Sequence, residues 1–467
     1  MGRALASQSG PMVLGILGVL SVGLADAFFL ARAGDAALAA IGFVFPVITA
    51  LTSLSIGLSA GTNAVISQAI GRGDGRASRD RLTLHAMALA CGLACALALL
   101  FWLGAPWLFG AMGAEGAVLD AVLGYLKFWC FSFPFLVTGM ALNASFRARG
   151  RSSVAATVMT LQALVNIALD PLFIFGAGMI PAMGAEGAGL ATLSARAMAF
   201  AGVLSYGIWR GVVRLDCAPL EGVARSVVRI GRVGGPAALS NAINPAGMSV
   251  VTAAVAVIGN DAVAGFGAAS RVQALMLVPM LALSSGIGPV VGQAWGAQRQ
   301  ERAQAAVRLT FLTCLVLGLG MAILLTFLAE PIARIMTAAS GQGAGGAAPY
   351  TAQYLRVASW GFFGYGILVT ANAAMNARDR ALWSMGLSAA RILLVYIPLT
   401  WTGVMLAGYG GILAATLAAN LLAAWAALIA ARAVGLLALD SAVVRVPAEW
   451  LAGRAGGGAI DRAAPLG

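Results

Sequence analysis

The sequence predicts an all-α integral membrane protein with twelve transmembrane helices in two homologous six-helix lobes, built as a parallel repeat. Three observations predict it. Of 467 residues, 60% are hydrophobic and 10% charged, with a mean hydropathy of +0.91, which leaves too little polar surface to cover a water-soluble globule. Apolar stretches of about 20 residues or more recur between short Arg-bearing loops, long enough to cross roughly 30 Å of hydrocarbon as helices. The second half repeats the first at an offset of about 225 residues.

In order, the first lobe's spans are 11–32, 37–70, 82–109, 117–146, 152–178 and 186–209. Those of the second are 233–258, 262–296, 304–330, 350–376, 381–405 and 410–435. Arg3 and the apolar run behind it resemble a cleaved leader. A copy of that segment recurs mid-chain, where no leader acts, so the run is assigned to span one. The lobes are bounded at 1–210 and 232–435, with a linker at 211–231 and a Gly-, Ala- and Arg-rich tail at 436–467 around Trp450. The tail is expected to be loose or interfacial.

The net charge of +12 is topological rather than a nucleic-acid signal. Arg72, Arg76, Arg79 and Arg81 follow span two, and Arg147, Arg149 and Arg151 follow span four. Arg210, Arg214, Arg225, Arg229 and Arg232 follow span six, Arg299, Arg302 and Arg308 span eight, and Arg378 and Arg380 span ten. Arg432, Arg445, Arg454 and Arg462 close the chain on the same side, whereas the opposite loops hold little beyond Arg32 and Arg334 with Asp35, Glu115, Glu186 and Asp261. The positive-inside rule then puts the Arg-rich loops and both termini in the cytoplasm, for a multi-pass protein of the plasma (inner) membrane.

The repeat is legible residue by residue. Gly61, Gln68 and Gly71 fall on Gly286, Gln293 and Gly296, the turn Gly34–Gly42 falls on Gly259–Gly267, and Asn143, Arg149 and Arg151 fall on Asn372, Arg378 and Arg380. Six helices return the chain to its starting side, so the two lobes share an orientation, and such repeats carry substrate between or within them.

Asp26 and Asp170 are the two carboxylates set well inside the apolar spans. Charge at that depth is costly and marks an ion or proton pathway, which points to a transporter. Their repeat partners are Val251 and Leu399, and that of Asn166 is Val395, so the fold itself does not require polar groups there. Asn166 and Asp170, four apart, share a helix face. Asp26 and Asp170 both rise roughly 24 to 27 Å from the Arg-rich ends of their spans, and Thr192 is near that level. Two carboxylates with an amide and a hydroxyl suit either of two tasks, ligating Na⁺ with hard oxygens or carrying H⁺ across. The competing structural accounts are an interhelical hydrogen bond for Asp26 and a helix break at Asp170–Pro171.

Five cysteines show no metal spacing, and four of them, Cys91, Cys95, Cys130 and Cys314, fall within spans; small packing residues are expected and no disulfide. His85, the sole histidine, and Lys127, the sole lysine, are attributed to coding bias. One histidine without convergent acids gives no basis for an enzyme.

With ADAFFLARAG around Asp26, GTNAVISQAIGRGD after span two, NASFRARG after span four, NIALDPLFIFG in span five and GAEGAGLAT entering span six, the chain resembles the multidrug and toxic-compound extrusion (MATE) family. The resemblance runs from about Pro11 to the end of span twelve. It implies a V-shaped exporter that alternates between outward-open and inward-open states, with H⁺ or Na⁺ influx driving efflux of amphiphilic, often cationic compounds. It maps the family's cation site to Asp26, Asn166, Asp170 and Thr192, with Asn143 as an accessory, and the proline that bends helix one to Pro11. The implied partners are small amphiphilic molecules and membrane lipids, without nucleic acid or cofactor, for a monomeric chain. Two features depart from the family. Asn244 stands where some members carry a seventh-helix carboxylate, and Arg196, Arg271 and Arg391 lie inside spans. Arg196, one turn from Thr192, is expected to pair with Asp26 or Asp170; Arg271 and Arg391 leave room for anionic or zwitterionic substrates. A lipid-linked oligosaccharide flippase of the wider superfamily is the alternative.

Overall fold

The structure, a computed structural model, describes residues 2–214, 216, 218–338 and 346–438. Cys217, the expected tail beyond residue 438, and with it Trp450, Arg445, Arg454 and Arg462, lie outside the described residues. Six helices form the first lobe: α1 (Gly2–Ala33), α2 (Asp35–Gly71), α3 (Arg76–Ala111), α4 (Gly116–Ala148), α5 (Ser152–Phe175) and α6 (Gly184–Trp209). The second comprises α7 (Val223–Ala256), α8 (Asn260–Met276), α9 (Val278–Gly296), α10 (Gln300–Ala338), α11 (Ala347–Ala358), α12 (Phe362–Ala377), α13 (Ala381–Ala389) and α14 (Ile397–Ala433).

The extra pieces of the second lobe are broken spans. Helices α8 and α9 form one span bent by 43° at Leu277. A 3₁₀ turn, Ser359–Gly361, joins α11 to α12, and a π-helical segment, Ala390–Tyr396, joins α13 to α14. The last run reverses at Ala407–Gly408, where Gly408 adopts φ 57°. Gly403 and Gly411 touch backbone to backbone across it, although a straight helix would hold them about 12 Å apart. Spans eleven and twelve thus form a tight helical hairpin within one continuous run.

By length and hydropathy alone, eight of the described helices can cross a membrane, or nine with the bent pair. The remaining spans are interrupted or begin in arginine-rich turns. Large side chains such as Trp107, Phe327 and Leu406 stay exposed on the flanks, as lipid-facing residues do.

Packing repeats between the lobes. Helix α1 packs on α5 as α7 does on α13, α2 on α4 as α9 does on α12, and α4 on α6 as α12 does on α14. The lobes meet through glycines: a Cβ on Gly57 would overlap Ala238, one on Gly61 the Ile230 carbonyl, one on Gly71 the Gln293 carbonyl and one on Gly296 the Gln68 carbonyl. Two glutamines cross the joint in opposite senses, Gln68 Nε2 donating to the Ala377 carbonyl (2.8 Å) and Gln293 Nε2 to that of Ala148 (2.7 Å). All these contacts lie in the half of the bundle that carries the arginine-rich loops. The opposite half of the eighth span, α8, packs on α7, α9, α10 and α11, whereas α9 also packs on α1, α2 and α4.

His85 is not the bystander that the sequence suggested. Its Nε2 donates to the Pro219 carbonyl (2.8 Å) and its Nδ1 meets Ser226 Oγ (2.9 Å), tying α3 to the linker and to α7. Arg81 adds an ion pair with Glu221, and Arg214 holds the Asp216 carboxyl below its usual range.

Buried Asp80 joins α3 to α4 by accepting from Arg149 Nη2 at 2.9 Å. The same guanidinium group also donates to Thr83 Oγ1 and to the carbonyls of Arg79 and Ser145. Removing Arg149 would leave Asp80 only its looser pairing with the exposed Arg76, 3.7 Å away, so Arg149→Met is expected to cost about 1–3 kcal/mol of stability. A thermal midpoint equal to wild type would show that the pair contributes nothing net.

Candidate functional site

Helix α1 reaches α5 through Gly15 and Gly18, whose Cα atoms face Ala156 and Ala163. Asp26 is eleven residues beyond Gly15, three helical turns along the same stripe. Along α5 the facing stripe runs Ala156, Met159, Ala163, Asn166, Asp170, spaced three and four apart. The two aspartates are therefore brought together by the same small-residue stripe that packs the helices. Their carboxyl groups lie within hydrogen-bonding reach of each other.

The GAEGAG motif supplies the third wall. A Cβ on Gly187 would overlap the Phe173 carbonyl, and one on Gly189 the Tyr125 carbonyl, so glycine is what lets α6 lie against both α5 and α4. That approach buries Thr192 with its hydroxyl in reach of Tyr125.

Asp170 is 0% exposed, Asn166 3% and Thr192 7%, while Asp26 is half-buried. Asn166 Nδ2 makes a long 3.5 Å contact with Asp170 Oδ1. Three oxygens that converge here, Asp26 Oδ1, Asn166 Oδ1 and Asp170 Oδ2, are buried without a hydrogen-bond partner. An acceptor stranded in this way is costly, and a cation shared among the three would relieve the cost. The donors are all hard oxygens, as Na⁺ or a proton requires. No group of three His, Cys, Asp or Glu residues among the described residues offers a site for a softer metal.

Helix α5 continues through Pro171 to Phe175, so Asp170 does not mark a helix break. Arg196 differs from expectation. Its Nη1 donates to Ser132 Oγ at 2.7 Å and its guanidinium stands 5.5 Å from the Trp129 ring centroid; its charge acts on Asp26 through space, without a direct ion pair to either aspartate among the described residues. Residues on α4 compete for it: a hydroxyl acceptor and an indole face satisfy the guanidinium without leaving its own turn of the bundle. Asn143 also stands apart. It lies about 20 Å nearer the arginine-rich end than Asp170, because α4 and α5 run antiparallel and Asn143 is five residues from the end of its helix. Helix α1 runs on through Pro11, and the next residue, Met12, belongs to the buried cluster with Ala155, Ala156 and Ala282. The sequence did not single out Tyr125, Trp129 and Ser132, uncharged residues of α4.

A doubled helical membrane bundle with a buried carboxyl pair in one lobe defines a transporter of the secondary type. The chain belongs to the MatE family, whose profile matches residues 11–172 and again 236–402, the same repeat offset seen in the sequence. It is 32% identical over 425 residues to the FAD transporter of Shewanella oneidensis, covering 90% of this chain and 92% of that protein. It is 28% identical over 317 residues to the probable multidrug resistance protein NorM of Thermotoga maritima, covering 68% of each. Among solved structures, the Vibrio cholerae MATE transporter VcmN in its bent form aligns with a TM-score of 0.86 at 27% identity, covering 93% of this chain and 96% of that one.

Proposed function

We propose that the chain is a cation-coupled secondary exporter of amphiphilic compounds that works by alternating access. The coupling ion, H⁺ or Na⁺, is held by Asp26, Asn166, Asp170 and Thr192. The three stranded oxygens carry this proposal, and the apolar repeat partners Val251, Leu399 and Val395 support it, since the same fold closes without them.

By the positive-inside rule the arginine-rich end and both termini face the cytoplasm of a plasma membrane. The glycine and glutamine joint then closes the cytoplasmic side, so this conformation opens outward. A carboxyl pair occupied from outside and emptied inside couples ion entry to substrate exit, provided that occupancy favours one conformation. The protein is proposed to act as a monomer among membrane lipids, without a cofactor.

The resemblance to an FAD transporter supports a second reading of the cargo, an anionic aromatic cofactor in place of cationic xenobiotics. Both are tested by reconstituting the protein in liposomes and following ethidium and FAD under an imposed proton or sodium gradient. Uphill movement of at least one of them, collapsing when the gradient is dissipated, is expected. Flux indifferent to both gradients would overturn the coupling.

A further inference from the structure

The second lobe contains a half-buried cation within its spans, Arg391, that the cation site does not use. Arg391 sits in the π-helical segment Ala390–Tyr396, about 15 Å above the arginine-rich end where α13 begins and so near the bilayer midplane. Such segments are enriched at functional positions. Its Nη1 donates to Asn244 Oδ1 at 3.0 Å and its Nη2 to Asn420 Oδ1 at 2.9 Å. The rings of Tyr365 and Tyr396 have their centroids 5.1 and 5.8 Å from the guanidinium carbon. Glycines 361 and 364 make this possible by letting α12 lie directly against Asn420 of α14.

All four partners are neutral. Between residues 232 and 435 the carboxylates are Asp261, Glu301, Glu330 and Asp379. Asp261 and Glu301 occupy first turns of helices, Asp379 follows the end of α12, and Glu330 pairs with Arg334 and Arg356. None balances Arg391. Two of the five guanidinium N–H groups are used by the asparagines, and Nε is buried without a partner. A half-buried guanidinium bonded only to neutral amides, with N–H groups left over after both of those bonds, is suited to an oxyanion acceptor.

Arg271 supports the same polarity. It is exposed on α8, eleven residues before Ala282, which packs on Met12, Ala155 and Ala156 of the first lobe. The span breaks between the two at Leu277, so this spacing fixes how far along the second lobe Arg271 stands and not the direction it faces. The two interior acids lie in the first lobe, which also holds Arg196, whereas the second lobe has arginines inside its spans without an interior acid.

Resting on the exporter proposal above, we propose that Arg391, framed by Asn244, Asn420, Tyr365 and Tyr396, is a substrate-binding site for the phosphate of a phosphate-bearing aromatic amphiphile. The guanidinium takes the phosphate oxygens and the tyrosine rings flank the aromatic portion. Cargo and coupling ion then bind opposite lobes and do not compete for one charge.

Riboflavin, FMN and FAD share one ring system and differ in phosphate, so their equilibrium affinities for the purified full-length protein isolate the anion's contribution. Binding is read without any ion gradient, so a failure of coupling in liposomes and a failure of anion selectivity here are separate results. The wild type is expected to bind FAD and FMN at least tenfold more tightly than riboflavin. Arg391→Gln should erase that preference and leave riboflavin unchanged, and Arg391→Lys should retain part of it. Asn244→Asp keeps the arginine and gives it an internal counter-ion, so it too should erase the preference while preserving the fold by thermal midpoint. A wild type that does not prefer the phosphorylated flavins, or an Asn244→Asp variant that keeps the preference, would overturn the proposal.

Discussion

Asp26→Asn and Asp170→Asn are each expected to lower gradient-driven transport by about 100-fold or more, equivalent to about 2.7 kcal/mol of lost coupling. The amide keeps the volume and most of the hydrogen-bonding capacity of the carboxyl, so the helices α1 and α5 should remain packed. What it removes is the charge that makes a cation preferable to an empty site. A conformational equilibrium follows a ligand only as far as the ligand binds its two states differently, so an uncharged site transmits almost nothing. Thermal midpoints within a few degrees of wild type, together with lost uphill flux in liposomes, are the expected pair of results. Full uphill transport by the double variant would remove the cation site from Asp26 and Asp170.

Gly71→Val and Gly296→Val should shift the protein away from the conformation described here. Each added side chain would collide with a backbone carbonyl of the other lobe, that of Gln293 or Gln68, and a carbonyl within a helix cannot swing aside. Overpacking of this kind costs about 1–3 kcal/mol, which moves a two-state equilibrium by about 5- to 150-fold. The penalty falls only on the state in which this end is closed. Ser67, fully buried at the same joint against Gly292, gives the readout. Labelling of Ser67→Cys by a thiol reagent added on the arginine-rich side should rise at least about 5-fold in the valine backgrounds. Labelling unchanged from the glycine background would mean that the joint does not open during the cycle.

Much of the frame was legible because lipid imposes hard rules on sequence. Hydrocarbon admits only segments with all backbone hydrogen bonds made internally, so span lengths appear as apolar runs, and the arginines mark the ends. The repeat picked out Gly71 with Gln68 and Gly296 with Gln293 as counterparts at one offset, without showing that they meet. The glutamine bonds across the lobes were not legible. Their acceptors, Ala377 and Ala148, are backbone carbonyls that no residue type announces. Similarly, Asp26 and Asp170 stood out as charges in apolar surroundings, whereas Tyr125, Trp129 and Ser132 were hidden among residues typical of any membrane helix. Arg196 showed the limit of register arguments. Helical spacing puts it one turn from Thr192, but a side chain of its length selects among several partners, and α4 offered a hydroxyl and an indole.

The sequence by itself determined the twelve spans, the two-lobe repeat and the pair of interior acids. These follow from local composition and helical period, which are properties of one segment at a time. Only the tertiary structure decided that His85 fastens the linker, that the lobes are joined at the arginine-rich end, and that Arg391 has neutral neighbours on every side. Each of these depends on which helices touch and at what depth, and that is set by the packing of whole faces rather than by any run of residues.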